Sequence, residues 1–154
     1  MKTNQLVIDA LAQSAEREIA AITAYSIQAV IQEKSGYAKI AKESMSRAQG
    51  EMHHLDSLIE RTVELGVMPE QYRASEFSIG SGPKEHVEAG LALELEAVDL
   101  YNGFVTLCQQ VGDEKTRELF SDLVSDEEEH VVYLRAQLTQ IEDMTLAGWL
   151  QTLI

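Results

Sequence analysis

The 154-residue sequence has little of what interrupts helices or cross-links a chain: it contains two prolines, nine glycines and a single cysteine. With only Cys108, the chain cannot form an intrachain disulfide bond, and it lacks a CxxC pair for a metal or redox site. Both prolines and most glycines fall at the edges of segments with helical apolar periodicity, which leaves room for long helices.

Basic residues are also scarce, because 12 lysines and arginines stand against 26 aspartates and glutamates, giving a formal net charge of −14. This balance argues against binding to nucleic acids or anionic membranes and favours the attraction of cations to acidic clefts. No apolar run approaches the ~20 residues needed to span a bilayer. Charged residues also interrupt the N-terminal segment before a signal-peptide core can form. We therefore expect a cytoplasmic protein.

Helix boundaries can be placed from capping residues and glycines. Asn4 can cap a first helix, Pro83 suits the first turn of a third, and Gly36, Gly66 and Gly112 follow three periodic segments. The sequence predicts one domain over residues 1–154, with helices at about residues 4–34, 37–65, 83–111, 113–143 and 145–153.

The lengths of the connections predict how these helices are arranged. Only a few residues join the first helix to the second and the third to the fourth, so each pair should form an antiparallel hairpin. The middle connection, residues 67–82, can stretch ~50 Å, while a helix of about 30 residues is ~45 Å long. The predicted fold class is therefore all-α: a four-helix bundle with one long crossover between helices 2 and 3 and a short fifth C-terminal helix.

The two halves of the sequence repeat a set of residues at a fixed distance of 76 positions, which is the difference between 18 and 94 and between 51 and 127. The pairs are Glu18 and Glu94, Tyr25 and Tyr101, Glu51 and Glu127, His54 and His130, and Leu58 and Leu134. Since this distance is close to half the chain, the two hairpins are predicted to be pseudo-symmetric halves.

The repeated glutamates and histidines lie on the apolar faces of their predicted helices. Burying four carboxylates without partners would cost many kcal/mol, whereas two divalent cations would neutralise the four negative charges. Each Glu-x-x-His motif presents an oxygen and a nitrogen one helical turn apart, and oxygen-rich ligation of this kind suits iron or manganese. One such motif alone is usually a solvated pair, but the repeated set favours a buried two-metal centre.

At these residues the sequence resembles the bacterioferritins, over nearly its whole length. The likeness is carried by the segments EREIAAITAY (16–25), GEMHHLDSLIERTVELGVMP (50–69), LALELEAV (91–98) and SDEEEHVVYLRAQL (125–138). The resemblance implies a ferritin-like bundle, for which inward-facing glutamates with two Glu-x-x-His motifs are a known di-iron arrangement.

The resemblance further implies a ferroxidase centre with six ligands to two iron ions: Glu18, Glu51, His54, Glu94, Glu127 and His130. Glu51 and Glu127 would bridge the two irons. The terminal ligands would be Glu18 with His54 and Glu94 with His130. The implied activity is oxidation of Fe(II) to Fe(III) by dioxygen or hydrogen peroxide, followed by iron storage in a hollow shell. Tyr25 would be a nearby phenol that donates an electron or a hydrogen bond to this centre.

Met52 lies one residue from Glu51 but ~100° away around the helix. Met45, Met52 and Ile59 are seven residues apart and form a second apolar stripe, which predicts a homodimer. In the bacterioferritins a methionine at this place, from each of two subunits, ligates a haem. The resemblance therefore implies that Met52 binds haem b or a related iron porphyrin shared by two subunits. It also implies a 24-mer shell, with a 12-mer as the alternative, and a ferredoxin-type electron donor for iron release.

Two other functions fit parts of the pattern. The first is a di-iron peroxidase of the rubrerythrin type without a rubredoxin domain, since one cysteine cannot build a Cys₄ iron site. The second is a metal-free helical interaction module, which would leave the inward-facing glutamates without a function. Particle size separates these alternatives, because a large shell favours storage and a dimer favours the peroxidase or the module.

Overall fold

The computed structural model describes residues 4–154, so residues 1–3 of the predicted domain lie outside the described part. Its helices are α1 (Gln5–Lys34), α2 (Ala38–Glu64), α3 (Pro83–Val111) and α4 (Glu114–Gln151). No strand occurs among residues 4–154, and no helix there is long and apolar enough to cross a membrane. The all-α fold class predicted from the sequence is confirmed.

Local side-chain chemistry sets where several of these helices begin and end. The Oδ1 atom of Asn4 accepts a hydrogen bond from the backbone N–H of Leu6 at 2.9 Å, which caps α1. Asp113 caps α4 in the same way, with Oδ1 3.1 Å from the N–H of Thr116. Between α3 and α4, Gly112 has a φ of 75°, a left-handed conformation that glycine adopts without a Cβ clash.

The four helices pack as two hairpins, α1 with α2 and α3 with α4, and the two hairpins also meet through α1 and α3. The backbones of α2 and α4 approach each other less closely. The crossover between α2 and α3 runs along α1. Its Ser75 N–H donates to the Glu16 carbonyl at 3.1 Å, and further on the Gln28 side chain donates to the Ile79 carbonyl at 2.9 Å. This path leaves α2 and α3 parallel, as the length of the crossover predicts.

The predicted fifth helix corresponds to the last part of α4, which follows a break at Thr145. The backbone at Thr145 is non-helical, with φ of 65° and ψ of 159°, and the residues after it are helical again up to Gln151. The Oγ1 atom of Thr145 accepts from the N–H of Gly148 at 3.3 Å and so caps the residues after the break. Trp149, in this terminal segment, is fully buried. Its Nε1 donates to Gln137 at 3.1 Å, which holds the segment against its own bundle.

The apolar core is divided into two main clusters along the bundle axis. One cluster contains Leu11, Leu58 and Phe120. The other contains Val87 and Leu134, together with other buried residues near the terminal segment. Along α2 and α4 the repeated polar residues fall between these clusters. The bundle therefore has a polar middle that is sealed at both ends by apolar packing.

Candidate metal centre

The structure brings all six predicted ligands together in this polar middle. They come from all four helices, because α1 and α3 each supply one glutamate while α2 and α4 each supply a Glu-x-x-His pair. The four glutamates Glu18, Glu51, Glu94 and Glu127 are between 0% and 2% exposed. A buried carboxylate is rarely tolerated unless it has a partner. The burial of four together is what requires an explanation.

The first group of ligands surrounds Nδ1 of His54. This nitrogen lies 2.9 Å from Oε2 of Glu51, 3.1 Å from Oε1 of Glu127 and 3.8 Å from Oε1 of Glu18. We call Glu18, Glu51, His54 and Glu127 the His54 group. Its four ligand atoms all lie within 4.8 Å of one another, close enough for one metal ion to contact all of them.

The second group repeats this geometry around Nδ1 of His130. That nitrogen lies 3.0 Å from Oε2 of Glu127, 3.3 Å from Oε1 of Glu51 and 3.5 Å from Oε1 of Glu94. We call Glu51, Glu94, Glu127 and His130 the His130 group; its ligand atoms also lie within 4.8 Å of one another. Glu51 and Glu127 belong to both groups, so two metal ions held here would share these carboxylates.

The hydrogen bonding of the cluster fits a pair of bound cations. Five of its buried atoms make no well-aligned hydrogen bond, although they lie within ion-pair distance of one another: both carboxylate oxygens of Glu51, Oε2 of Glu127, and Nδ1 of His54 and of His130. A buried polar atom left unsatisfied costs about 1–3 kcal/mol. A divalent cation in each group would satisfy these atoms, and carboxylate with imidazole ligation suits iron or manganese.

Two tyrosines support the outer glutamates of the cluster from opposite hairpins. The hydroxyl of Tyr25 donates to Oε1 of Glu94, and the hydroxyl of Tyr101 donates to Oε1 of Glu18. The family resemblance implies a role for Tyr25, whereas the sequence marks Tyr101 only as its repeat partner. The structure gives the two phenols equivalent positions, so the pseudo-symmetry of the sequence extends to the hydrogen bonds around the cluster.

Burial and mutual repulsion shift the pKa values of the outer side chains upward. Burial raises the pKa of Glu18 well above its ordinary value, and the charges of Glu51 and Glu127 add to this. Burial likewise raises the pKa of Glu94, again with a contribution from Glu127. The pKa of Tyr25 is also raised, by burial and by Glu94, so that its hydroxyl keeps its proton and remains a donor.

The pKa values of the inner residues His54, His130 and Glu127 shift in the direction that favours their charged forms. Burial would lower the pKa of His54, but Glu127 and Glu51 outweigh it and raise this pKa to about 12. The pKa of His130 is raised to about 11 by the same two carboxylates, again against burial. Burial disfavours ionisation of Glu127, yet the two histidines lower its pKa overall. Without metal, the positive charges of the imidazoles take the place of cations.

We expect metal binding at pH 7 to release protons from this cluster. A metal ligates neutral imidazole and ionised carboxylate, whereas His54 and His130 hold protons in the metal-free chain because their pKa values lie far above 7. The release should be about two to four protons per chain, since the raised pKa values of Glu18 and Glu94 add to it. The apparent affinity should therefore rise with pH.

This release can be measured by titrating unbuffered metal-free protein with Zn²⁺ in the presence of a pH indicator. His53→Ala is the matched control, because His53 is exposed and next to His54 in sequence. It should leave the release unchanged, while His54→Ala should reduce it. Uptake of two metal ions with no proton release would contradict the assigned charges.

Two other residues beside the cluster had no signal in the sequence. Asp126, which immediately precedes Glu127, has Oδ2 3.1 Å from Nε2 of His54. Arg47 places its guanidinium carbon 5.7 Å from the ring centroid of Tyr25 and 5.0 Å from that of Tyr133. All three contacts join residues on different helices, so only the folded structure could identify them.

Met52 lies away from the cluster, as its angle on the helix predicts. Its side chain is 50% exposed and that of Met45, one heptad earlier on α2, is 39% exposed. The two methionines of the α2 stripe are therefore exposed in the single chain.

A four-helix bundle that buries two overlapping carboxylate–imidazole groups between two pseudo-symmetric hairpins defines a ferritin-like protein. In agreement, a family model described as the ferritin-like domain matches residues 8–144.

Comparison with individual proteins narrows this class. The chain is 36% identical to the bacterioferritin of Rhodobacter capsulatus over 149 residues, covering 97% of this chain and 92% of that protein. It is 33% identical to the bacterioferritin of Brucella melitensis over 138 residues, covering 90% of this chain and 86% of the relative. The chain belongs to the bacterioferritin family, which confirms the resemblance seen in the sequence.

Structural comparison gives the same result. A crystal structure of the Rhodobacter capsulatus bacterioferritin superposes with a TM-score of 0.96 and 33% identity, covering 99% of this chain and 96% of the other. That protein was described with a metal-free dinuclear site and a haem iron in a crystallographic special position.

Proposed function

We propose that this protein is a ferroxidase and iron-storage subunit, which oxidises Fe(II) at an intrasubunit di-iron centre and stores the product in a hollow homo-oligomeric shell. The observation that carries the proposal is the pair of ligand groups that share Glu51 and Glu127, in which five buried atoms make no well-aligned hydrogen bond. Membership of the bacterioferritin family supports the same function.

Each ligand then has a role set by its position. Glu51 and Glu127 bridge, because each belongs to both groups. The terminal ligands are Glu18 with His54 and Glu94 with His130. Four carboxylates balance two Fe(II) ions in charge, and the shared carboxylates keep both substrate ions beside one oxidant. Two Fe(II) ions give up two electrons, which together with two protons from the solvent reduce one O₂ to H₂O₂, or one H₂O₂ to two molecules of water.

Tyr25 and Tyr101 hold the terminal glutamates in place through their hydroxyl hydrogen bonds. Because the raised pKa of Tyr25 keeps its hydroxyl protonated, this phenol remains a donor that fixes the carboxylate of Glu94, and Tyr101 does the same for Glu18. Tyr25 is also the phenol from which an electron can be supplied to the centre. The apolar clusters on both sides keep the ligands away from bulk water.

The function can be tested by adding Fe(II) anaerobically to metal-free protein and then admitting O₂. We expect a fast phase that oxidises about two Fe(II) per chain, as a two-metal centre requires, followed by slower uptake of further iron into a large particle. Since the chain has a mass of 17.1 kDa, a 24-mer would elute on size-exclusion chromatography at about 410 kDa. Oxidation by a dimer that prefers H₂O₂ and retains no iron would instead support the rubrerythrin-like peroxidase.

The exposed stripe on α2 supports dimerisation and haem binding as part of this proposal. Met52 is half exposed in the single chain, and α1 and α2 carry other exposed apolar side chains, including Val30 and Met45, which line one surface cavity. A second copy related by a twofold axis would cover this face, and the Met52 thioethers of the two copies would together hold one haem. Haem b or a related iron porphyrin is the group proposed there, with a ferredoxin-type protein as the electron donor for iron release.

Haem binding predicts an absorption spectrum with a Soret band and about one porphyrin per two chains. Met52→Leu should remove the band or greatly reduce it, because leucine retains the apolar volume but not the sulfur ligand. Met68→Leu is the matched control, since Met68 is exposed and lies in the crossover, outside the apolar stripe of α2. Wild-type protein that lacks the band after growth with ample haem would argue against Met52 as a ligand.

A further inference from the structure

The two histidines of the candidate centre differ in the partner of Nε2, the ring nitrogen that faces away from the cluster. Nε2 of His54 lies 3.1 Å from Oδ2 of Asp126, so this imidazole is held between the cluster on one side and a carboxylate on the other. Nε2 of His130 has no hydrogen-bond partner among residues 4–154. The His130 side chain is also more exposed, at 22% against 10% for His54.

The internal repeat explains this difference in sequence terms. Asp126 immediately precedes Glu127, and the residue 76 positions earlier, which immediately precedes Glu51, is Gly50. The repeat relates Asp126 and His54 to position 50 and His130. The carboxylate present in one half is therefore replaced in the other half by a residue without a side chain.

A carboxylate that accepts the second N–H of a ligand histidine fixes the tautomer and the ring orientation, and it makes the ligand nitrogen more basic. If Nε2–H of His54 donates to Asp126, the lone pair of Nδ1 faces the middle of the His54 group, where a cation would bind. His130 has no such partner on the Nε2 side of its ring. Removing a partner of this kind typically lowers metal affinity by about 10- to 100-fold.

We propose that Asp126 is a positioning residue for His54, and that Gly50, by leaving His130 without an equivalent partner, makes the two metal sites unequal. The His54 group is the tighter site and the His130 group the weaker one. This inference rests on the proposed two-metal centre and adds to it an order of filling. The weaker site is also the one with the more exposed ligand, so iron exchanges there first.

The structure provides both a loss and a gain variant to test this. Asp126→Asn removes the negative charge of the carboxylate with little change of shape. Gly50→Asp introduces the missing carboxylate, and it is sterically permitted because a Cβ built on Gly50 meets no atom within 4 Å. Gly50→Ala controls for the added Cβ. Asp122→Asn controls for charge, since Asp122 is an exposed aspartate one turn before Asp126 on α4.

The measurement is an anaerobic titration of the metal-free protein with Co²⁺, followed by visible absorption and by calorimetry to resolve the two binding steps. In wild-type protein two steps of different affinity are expected. Asp126→Asn should weaken the tighter step by about 10-fold or more, and Gly50→Asp should tighten the weaker step by a similar factor. Both control variants should leave both steps unchanged.

The inference is overturned if Asp126→Asn changes neither step, or weakens both equally, as a merely structural effect would. It is also overturned if the weaker binding step has the same affinity in Gly50→Asp as in Gly50→Ala. In either case binding of two Co²⁺ per chain would still support the proposed centre. Wild-type protein that binds fewer than two Co²⁺ would instead overturn the proposed centre together with this inference.

Discussion

Glu127→Ala is expected to abolish fast Fe(II) oxidation, with a loss in rate of at least about 100-fold. In the wild-type protein Oε1 of Glu127 lies 3.1 Å from Nδ1 of His54, and Oε2 lies 3.0 Å from Nδ1 of His130. One substitution therefore damages both ligand groups. Since each 1.4 kcal/mol of lost stabilisation is a tenfold loss in rate, losing several kcal/mol at a bridging ligand gives this magnitude. Stopped-flow absorption after mixing anaerobic Fe(II) protein with O₂ measures it.

Glu128→Ala is the matched control for this variant. Glu128 is the next residue on α4, carries the same chemistry and is exposed, because it is one helical step away from the cluster. It should oxidise iron at the wild-type rate. If Glu127→Ala retained the fast phase while still folded, the bridging role of the shared glutamates would be wrong.

Metal binding is expected to raise the melting temperature of the protein by about 10–25 °C. A ligand present at 1,000 times its dissociation constant contributes about 4 kcal/mol for each site. For a chain of this size each kcal/mol corresponds to roughly 2–4 °C. Calorimetric scans of metal-free protein with and without Zn²⁺ measure this rise.

The rise should be larger near pH 8 than near pH 6. In the metal-free fold the pKa values of Glu18 and Glu94 lie well above the ordinary value of 4.5, so the free energy of unfolding falls as the pH rises above 4.5. The contribution of His54 and His130 to stability is full below pH 6.5 and is lost as the pH rises from there through their pKa values of about 12 and 11. Metal binding reverses the effect of the two glutamates, because it stabilises their ionised forms.

His54→Ala should lose most of this metal-dependent rise, whereas His53→Ala should keep it. The two histidines are neighbours in the sequence, but His54 lies inside the cluster and His53 is exposed. An equal rise in both variants would show that the metal binds elsewhere on the acidic surface.

The candidate centre was predictable because helical periodicity and an internal repeat act together. Each of the four glutamates follows the 3–4 spacing of apolar residues on its helix, so its direction is fixed by the helix itself. The internal repeat then indicates which residues of the two hairpins are equivalent, and this does not depend on how the helices pack. The crossover could be predicted for a similar reason, since chain length limits where a 16-residue segment can lead.

The start of the fifth helix was predicted at residue 145, and α4 has its break at Thr145. The backbone conformation of this break could not be predicted from the sequence. What marks the break is a positive φ and a side-chain cap to Gly148. The position of the terminal segment then depends on the burial of Trp149 in the core, and contacts between distant residues are not encoded in periodicity.

The sequence by itself determined the fold class, the two hairpins and the identity of the six inward-facing polar residues, because each depends on spacing along a helix or on chain length. Only the tertiary structure decided which oxygens face which nitrogens, that Tyr101 supports Glu18, and that Asp126 supports one histidine while the other has no such partner. The physical reason is that distances between side chains on different helices depend on how those helices pack. Packing is a property of the whole bundle and of no single segment.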